Sequence, residues 1–146
     1  VSVSTLESMA YNFLSTDCIV CAVMDARCSQ VYNALFEIKN GVVTRLCDDR
    51  ALSLDDLKNE LLSVAGRIII AGDGTDITCK YIGNEIKNAE SAPVNLKYQR
   101  ASSTALVAFE MINNGQTVSA QELMPVYLRL PQAQRELNKK LGGRTK

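Results

Sequence analysis

The chain has 146 residues, of which 47% are hydrophobic, and its 16 basic side chains balance 16 acidic ones. This length allows one domain with a substantial core, and the balanced charge argues against a nucleic-acid footprint over the whole surface. The absence of histidine excludes Ser-His-Asp hydrolysis, cysteine–histidine nucleophiles and histidine-ligated zinc. Five cysteines, an odd number, favour reduced thiols and a cytoplasmic location, and no apolar stretch is long enough to predict a membrane span.

The first predicted element is a short helix that ends near Phe13. Its start carries the capping-box spacing of Ser4 and Glu7. The stretch from Cys18 to Met24 is apolar throughout, which predicts a strand covered on both faces. The two cysteines of its CxxC motif stand three residues apart, so in a strand they point to opposite faces and cannot hold one metal ion.

Two further strands are predicted to follow as a meander. Alternating residues indicate a strand with one well-buried face, formed by Tyr32, Ala34, Phe36 and Ile38. The Asn40-Gly41 pair is typical of a tight hairpin, because both positions readily adopt positive φ. The chain then returns as a third strand over 42–47.

The second half alternates helices with strands. The predicted elements are a helix capped by Ser53 and ended by Gly66, a buried strand over 67–71, a helix over 76–87 that buries Tyr81, a more exposed strand over 93–98, and a helix capped by Ser103. The order βββαβαβα predicts an α/β fold with a mixed five-stranded sheet flanked by helices, in the ribonuclease H-like arrangement.

Two acids are predicted to lie where such a fold exposes functional residues. Asp25 follows the first strand and Asp73 follows the fourth, so the two share one edge of the sheet if those strands are neighbours. A metal-dependent nuclease of this fold would use such acids to hold two divalent cations, with Glu37 as a weak third ligand. Because Arg27 competes for the charge of Asp25, a structural turn is the favoured interpretation.

The Gly72-Asp73-Gly74 segment suggests a second alternative. Glycines between a buried strand and a helix let backbone N–H groups approach a phosphate, which would indicate a nucleotide-binding protein. However, Asp73 places a negative charge in that cradle, and no lysine accompanies the glycines as it does in a P-loop. A turn that requires glycine is the simpler interpretation.

Four short motifs together resemble the TsaB (YeaZ) family, in the order in which they occur there. They are Val-Ser-Thr-Leu-Glu at 3–7, Met-Asp-Ala-Arg at 24–27 with Val-Tyr at 31–32, Ala-Gly-Asp-Gly at 71–74, and Pro-Val-Tyr-Leu-Arg at 125–129. TsaB is the bacterial partner subunit in threonylcarbamoyladenosine modification of tRNA. The resemblance covers nearly the whole chain and implies the carboxyl-terminal one of two ribonuclease H-like halves, as in the actin-like ATPase (ASKHA) superfamily.

The resemblance also implies a division of the chain into three parts. Residues 1–16 would be a junction helix from an amino-terminal half that is absent, and residues 17–116 would form the ribonuclease H-like domain. Residues 117–146 would be a carboxyl-terminal extension with short helices, one of them beginning at Pro131. From Arg129 onward this extension has six basic residues and one acid. A solvated tail is the favoured interpretation, and contact with an acidic partner or RNA is the alternative.

The function implied by the resemblance is that of a noncatalytic scaffold without cofactor, metal or catalytic residues. The family is similar to glycoprotease-like proteins but lacks their metal-binding histidines. Its implied partners are a TsaD-like transferase, which performs the transfer reaction, and a TsaE-like ATPase. A homodimer is an open alternative, and contact with tRNA would be indirect. The residues implied to contact a partner or nucleotide are Asp25, Arg27, Gly72, Asp73 and Gly74. The turn Cys28-Ser29-Gln30 departs from the family pattern, which weakens the expectation of a phosphate contact there.

Overall fold

The computed structural model describes residues 1–128, which form a mixed sheet with helices on both faces. The strands are β1 (Cys18–Asp25), β2 (Gln30–Lys39), β3 (Val42–Arg45), β4 (Arg50–Ser53), β5 (Ile68–Ala71) and β6 (Ala89–Ser91). The helices are α1 (Thr5–Ala10), which continues as a 3-10 turn over Tyr11–Phe13, α2 (Leu54–Leu61), α3 (Thr75–Ile82) and α4 (Ala101–Asn113). Within these residues no helix is long and apolar enough to span a membrane. The tail helix predicted from Pro131 lies outside the described residues.

The strand order in the sheet is β3-β2-β1-β5-β6, and β4 also pairs with β2. Strands β1, β2 and β3 pair antiparallel, which confirms the predicted meander. Strand β5 lies parallel to both β1 and β6. The α/β class and the mixed sheet flanked by helices are therefore confirmed. The first strand and the strand over 67–71 are neighbours, which is the condition under which Asp25 and Asp73 share an edge.

The core has two layers, one on each side of the sheet. On one side the sheet packs against α1 and its 3-10 turn through Leu6, Met9, Ala10 and Phe13. On the other side it packs against α2 and α3, mainly through Leu54, Leu57, Leu61 and Ile82. Cys18 belongs to the first layer and Cys21 to the second, which confirms that the two thiols of the CxxC motif point apart.

Strand β2 is buried on both faces along most of its length, so the prediction of one well-buried face was wrong. Asn33 and Leu35 were assigned to the less buried face, yet both are buried. The Asn33 amide donates to the backbone oxygens of Ala22 and Ala34, and its Oδ1 accepts from Arg50. Arg50 in turn contacts Glu60 of α2 at 2.6 Å. The polar residue is tolerated because the surrounding strands and α2 satisfy its hydrogen bonds.

The sheet has six described strands rather than the five that were predicted. Strand β4 was not predicted because the segment between Leu46 and Asp49 interrupts the alternating pattern. In the structure β3 and β4 lie one after the other along the same edge of β2 and both pair with it. The last strand was predicted over 93–98 but lies at Ala89–Ser91. Pro93 lacks an N–H group for the ladder, and the following residues form a turn in which the Leu96 N–H donates to the Pro93 oxygen.

Helix boundaries differ from the predictions where glycine or side-chain packing decides them. Ser53 caps α2 as predicted, its side chain accepting from the Asp56 N–H, but α2 ends at Leu61, ahead of Gly66. Helix α3 ends at Ile82 because Gly83 adopts φ 54°, and Tyr81 stays 44% exposed instead of buried. Ser103 is not a cap; it lies buried in the first turn of α4 and donates to Asn12.

Candidate functional site

The predicted site residues meet at the carboxyl ends of β1 and β5. We call this region the rim; it comprises the turn over residues 25–29 and the loop over residues 72–75. Parallel pairing brings Ala22 of β1 opposite Ala71 of β5, so both strands end at the same edge. The sequence-predicted residues Asp25, Arg27, Gly72, Asp73 and Gly74 are therefore all brought together here.

The two acids of the rim bind backbone amides of the rim itself. Asp25 Oδ1 accepts from the Arg27 N–H at 2.7 Å, which closes the bend after β1. Asp73 Oδ1 accepts from the Asp25 N–H at 3.1 Å, which ties the loop after β5 to the end of β1. The interpretation of Asp25 as a turn residue is confirmed, and Asp73 bridges the two strand ends.

Arg27 extends from the tip of the turn into solvent. Its side chain is 86% exposed, and its Nη1 lies 3.6 Å from Asp25 Oδ2, an ion pair of the exposed kind that contributes little to stability. Arg27, Cys28 and Ser29 all have φ between 53° and 64°. Such left-handed conformations cost about 1 kcal/mol or more for each residue that is not glycine. The turn thus holds an exposed tip that includes one cationic side chain.

The glycines of the rim are required by close packing against β1. A Cβ atom at Gly72 would stand 1.9 Å from the Val23 oxygen, and Gly72 has φ 116°. A Cβ at Gly74 would stand 3.1 Å from the Met24 carbonyl carbon. The N–H groups of Gly72, Gly74 and Thr75 donate to the oxygens of Lys97, Val23 and Gly72 respectively. These three N–H donors therefore already have acceptors within the protein. This supports the interpretation of the segment as a turn and not as a phosphate-binding loop with free N–H groups.

Lys97 supports the rim loop, and the sequence did not reveal it. Its backbone oxygen accepts from the Gly72 N–H, and its Nζ lies 2.6 Å from Asp76 Oδ1 in the first turn of α3. The Lys97 side chain is only 9% exposed, whereas that of Asp76 is 81% exposed. The hydrogen bond to Asp76 raises the pKa of the Lys97 ammonium. Lys97 was placed on an exposed strand by its alternating neighbours, a pattern that carries no information about this contact.

The third acid considered for a metal site does not join the rim. Glu37 pairs with Ile19, near the start of β1, whereas Asp25 ends that strand. Six residues of extended chain separate the two positions, about 20 Å at 3.3 Å per residue. In the part of the chain that the structure describes, no group of three cysteine, aspartate or glutamate side chains is arranged to hold a metal ion.

A cavity of about 490 Å³ opens beside the rim, on the side of the sheet that α1 covers. It is lined by residues 2–6 and 124–128 together with Met24, Tyr32 and Asp49. Its volume is within the range of small-molecule sites, and apolar and polar side chains both line it. Neither Tyr32 nor Asp49 was predicted to line a cavity, because the residues that meet here are far apart in the sequence.

Two polar residues that line the cavity, Ser4 and Asp49, belong to an ion-pair network. Arg45 lies 2.6 Å from both Asp49 and Glu7, and the Ser4 hydroxyl donates to Asp49. Burial lowers the pKa of the Arg45 guanidinium, but the hydrogen bonds to Asp49 and Glu7 outweigh it and raise the pKa overall. The network joins the start of α1 to the link between β3 and β4. Since its charges are already paired, its clearest role is to fix these elements together.

Comparison with known proteins gives a distant but extended relationship. No protein-family model matches the sequence. The tRNA threonylcarbamoyladenosine biosynthesis protein TsaB of Bacillus subtilis (strain 168) is 26% identical over 134 residues, which are 91% of this chain and 57% of that protein. The chain is therefore a distant homologue of TsaB over most of its length.

Solved structures share the fold. YeaZ from Pseudomonas aeruginosa superposes on this chain with a TM-score of 0.63. A second solved structure, of a protein from Pseudomonas aeruginosa with similarity to peptidase YeaZ, superposes with a TM-score of 0.66. Both are 20% identical, and each match covers 88% of this chain and 58% of the other. The chain thus spans less than three fifths of the length of the relatives it matches.

Proposed function

We propose that the chain acts as part of a noncatalytic scaffold subunit in the complex that adds threonylcarbamoyl to adenosine in tRNA, where it partners a TsaD-like transferase. The single observation that carries the proposal is the distant homology to TsaB over 91% of the chain. The fold adds support, because its mixed sheet flanked by helices resembles that of the solved YeaZ structures.

The chemistry of the rim is consistent with a scaffold. A catalytic carboxylate needs an oxygen directed at a substrate, a proton or a metal ion. At the rim, Asp25 and Asp73 each direct one oxygen at a backbone amide. The sequence has no histidine to act as a general base near pH 7. These features favour a role in binding over a role in proton transfer.

Within this role we assign the rim residues Asp25, Arg27, Gly72, Asp73 and Gly74 to contact with a partner or nucleotide. Arg27 would supply the charged contact, because its guanidinium is largely in solvent and its pairing with Asp25 is loose. Asp25, Asp73 and the two glycines would fix the position of the turn. Cytoplasmic location and a TsaE-like ATPase as third component belong to the same proposal.

A reconstitution assay tests the scaffold role. The region of Bacillus subtilis TsaB that matches this chain is replaced by the chain, and the chimera is added to the remaining components of the pathway with tRNA. Mass spectrometry of the digested nucleosides measures threonylcarbamoyladenosine. We expect no product from the chimera alone and restored product in the full mixture. Equal product in a mixture that lacks the chimera would contradict the proposal.

A matched pair of substitutions in the chimera tests the rim assignment separately. Arg27→Ala is expected to weaken binding to the TsaD-like subunit about tenfold, which is the size of a single interface hot spot. Lys80→Ala removes an exposed charge from α3 and serves as the control. If both variants bind like the unsubstituted chimera, the rim is not the contact, although the scaffold role would still stand.

A further inference from the structure

The net charge of zero hides a division of charge along the chain. Residues 1–128 carry 10 basic and 15 acidic side chains, whereas residues 129–146, which we call the basic tail, carry six basic side chains and one acid. The net side-chain charge near pH 7 is therefore −5 for the first part and +5 for the tail. A basic block at one end of an otherwise acidic chain is typical of a segment that binds a polyanion.

The described part of the chain uses most of its own cations in internal ion pairs. Six of its ten basic side chains pair with acids of the same part, namely Arg27, Arg45, Arg50, Lys58, Arg67 and Lys97. The other four are exposed and belong to different elements or loops: Lys39, Lys80, Lys87 and Arg100. Because acids outnumber bases in this part, it repels phosphates as a whole, and the tail is the better place for a polyanion.

An exposed aromatic side chain stands directly before the basic tail. Tyr127 is 85% exposed, the highest value among the large hydrophobic side chains of residues 1–128. Arg129, the first cation of the tail, follows two positions later. In proteins that bind single-stranded nucleic acid, aromatic rings stack on unpaired bases while neighbouring cations contact the phosphates. The combination favours a nucleic acid over an acidic polypeptide, which offers charge but no base for the ring to stack on.

The described chain leads to the tail beside the rim. Residues 124–128 line the cavity of about 490 Å³ together with Met24, which directly precedes Asp25 of the rim turn. The tail therefore begins on the side of the molecule that carries the exposed Arg27. Its 18 residues reach at most about 60 Å when fully extended. A ligand held by the tail can thus lie close to the rim.

We infer that the basic tail and Tyr127 form an RNA-binding arm, in which the cations contact phosphates and the Tyr127 ring stacks on an unpaired base. The choice of RNA as the polyanion rests on the proposed function, whereas the division of charge and the exposure of Tyr127 do not depend on it. The family resemblance implies only indirect contact with tRNA. The arm adds a direct contact, in place of a tail that is merely solvated.

RNA is favoured over the acids of the chain itself as the ligand of the tail. Exposed ion pairs within a protein contribute little, because both side chains lose freedom and salt screens the attraction. Closely spaced phosphates instead hold a layer of counterions, and their release makes the binding of several cations strong at low salt. A steep dependence of affinity on salt concentration is therefore the signature that separates the two ligands.

The outer face of α4, formed by Leu106, Phe109 and Ile112, is a different kind of surface. These side chains are 48%, 63% and 53% exposed, and Glu110 is the one charged residue among the 13 of the helix. A face without cations offers no attraction for phosphates. It is therefore not part of the arm.

Fluorescence anisotropy with a labelled tRNA tests the role of the tail in the 146-residue chain. Four charges of the tail are removed in one variant, by Arg135→Gln, Lys139→Gln, Lys140→Gln and Arg144→Gln. We expect this variant to bind tRNA about tenfold or more weakly at 100 mM salt, and the slope of log affinity against log salt to fall by up to about 3. The matched control removes the four exposed cations of the described part, by Lys39→Gln, Lys80→Gln, Lys87→Gln and Arg100→Gln, and should bind within about threefold of the parent.

A second pair of variants tests the stacking contact. Tyr127→Ala should weaken tRNA binding about fivefold or more and leave the salt slope unchanged, because the ring carries no charge. Tyr81→Ala, on α3 and 44% exposed in the parent, is the control and should bind like the parent. Equal affinities of the Tyr127 and Tyr81 variants would remove Tyr127 from the arm and overturn the inference as stated.

Three further outcomes would overturn the inference. They are equal losses in the two fourfold variants, which would indicate an effect of overall charge, unchanged binding of the tail variant, and displacement of tRNA by polyglutamate as readily as by unlabelled tRNA. The last result would assign the tail to an acidic partner. The scaffold role is tested separately by the reconstitution assay, so a chimera that restores product while its tail binds no tRNA would contradict this inference alone.

Discussion

The rim and the outer face of α4 are both exposed, yet they differ in what their side chains are bonded to. At the rim, Asp25 and Asp73 bind backbone amides, and Gly72 fits against the β1 backbone with no room for a side chain. On α4, Phe109 and its neighbours have water where a packed helix would have apolar contacts. The acids and glycines of the rim are therefore bonded and packed within this chain, whereas the apolar side chains on the outer face of α4 are exposed.

The difference teaches that exposure alone does not identify a functional surface. The sequence directed attention to the rim because its acids and glycines are residue types used in catalysis and phosphate binding. Their hydrogen bonds explain most of these residues structurally. The α4 face has no such residue types, but its apolar side chains lack any structural explanation within residues 1–128. The exposed Arg27 and the exposed apolar side chains of α4 are therefore better indicators of a contact than the bonded acids and glycines.

The largest effect is expected from crowding the rim. Gly72→Ala should lower the free energy of unfolding by about 3 kcal/mol or more, because the added Cβ meets the Val23 oxygen and the backbone is left-handed there. Gly66→Ala is the matched control: Gly66 also has positive φ but has no atom within 4 Å of the added Cβ, so about 1 kcal/mol is expected. Urea unfolding measures both. Similar losses would mean that the loop does not lie against β1.

A smaller effect is expected from removing the bridge between the strand ends. Asp73→Ala should cost about 1 kcal/mol in urea unfolding, because the Asp25 N–H loses its acceptor. Asp48→Ala removes an exposed acid between β3 and β4 and should change stability by less than about 0.5 kcal/mol. If Asp73→Ala is as mild as its control, the carboxylate is not a structural bridge and is available for a ligand.

The smallest effect is expected on the outer face of α4. In this chain alone, Phe109→Ala should change the free energy of unfolding by less than about 0.5 kcal/mol, since the ring is 63% exposed. Val107→Ala, on the inner face and 1% exposed, should cost about 2 kcal/mol. A large loss at Phe109 in urea unfolding would show that this side chain is already packed, and the contrast between the two regions would disappear.

The elements that the sequence predicted well are those with strong local signals. The continuous apolar run of β1, the Asn40-Gly41 hairpin with φ of 53° and 76°, and the Ser53 cap each depend on a few neighbouring residues. Asp25 and Asp73 were expected to share one edge of the sheet if their strands were neighbours, and the parallel pairing of β1 with β5 meets that condition.

The elements that were missed depend on contacts between distant segments. Strand β4 follows an interruption of the alternating pattern and β6 has only three residues, so pairing with β2 and β5 defines them. Arg45 forms an ion pair with Glu7, which is 38 positions away in the sequence, so no local pattern predicts the contact. For α4, periodicity predicts the helix but not which face is covered, because both faces contain apolar residues.

The buried Asn33 has a consequence for how β1 and β2 align. A shift of β2 by one residue would move its side chains to the opposite faces of the sheet and take this amide away from Ala22 and Arg50. An amide left without partners in the interior costs roughly 1–3 kcal/mol, enough to keep the slipped hairpin a minor species. Among the buried side chains of β2, this polar one thus favours a single register of the two strands.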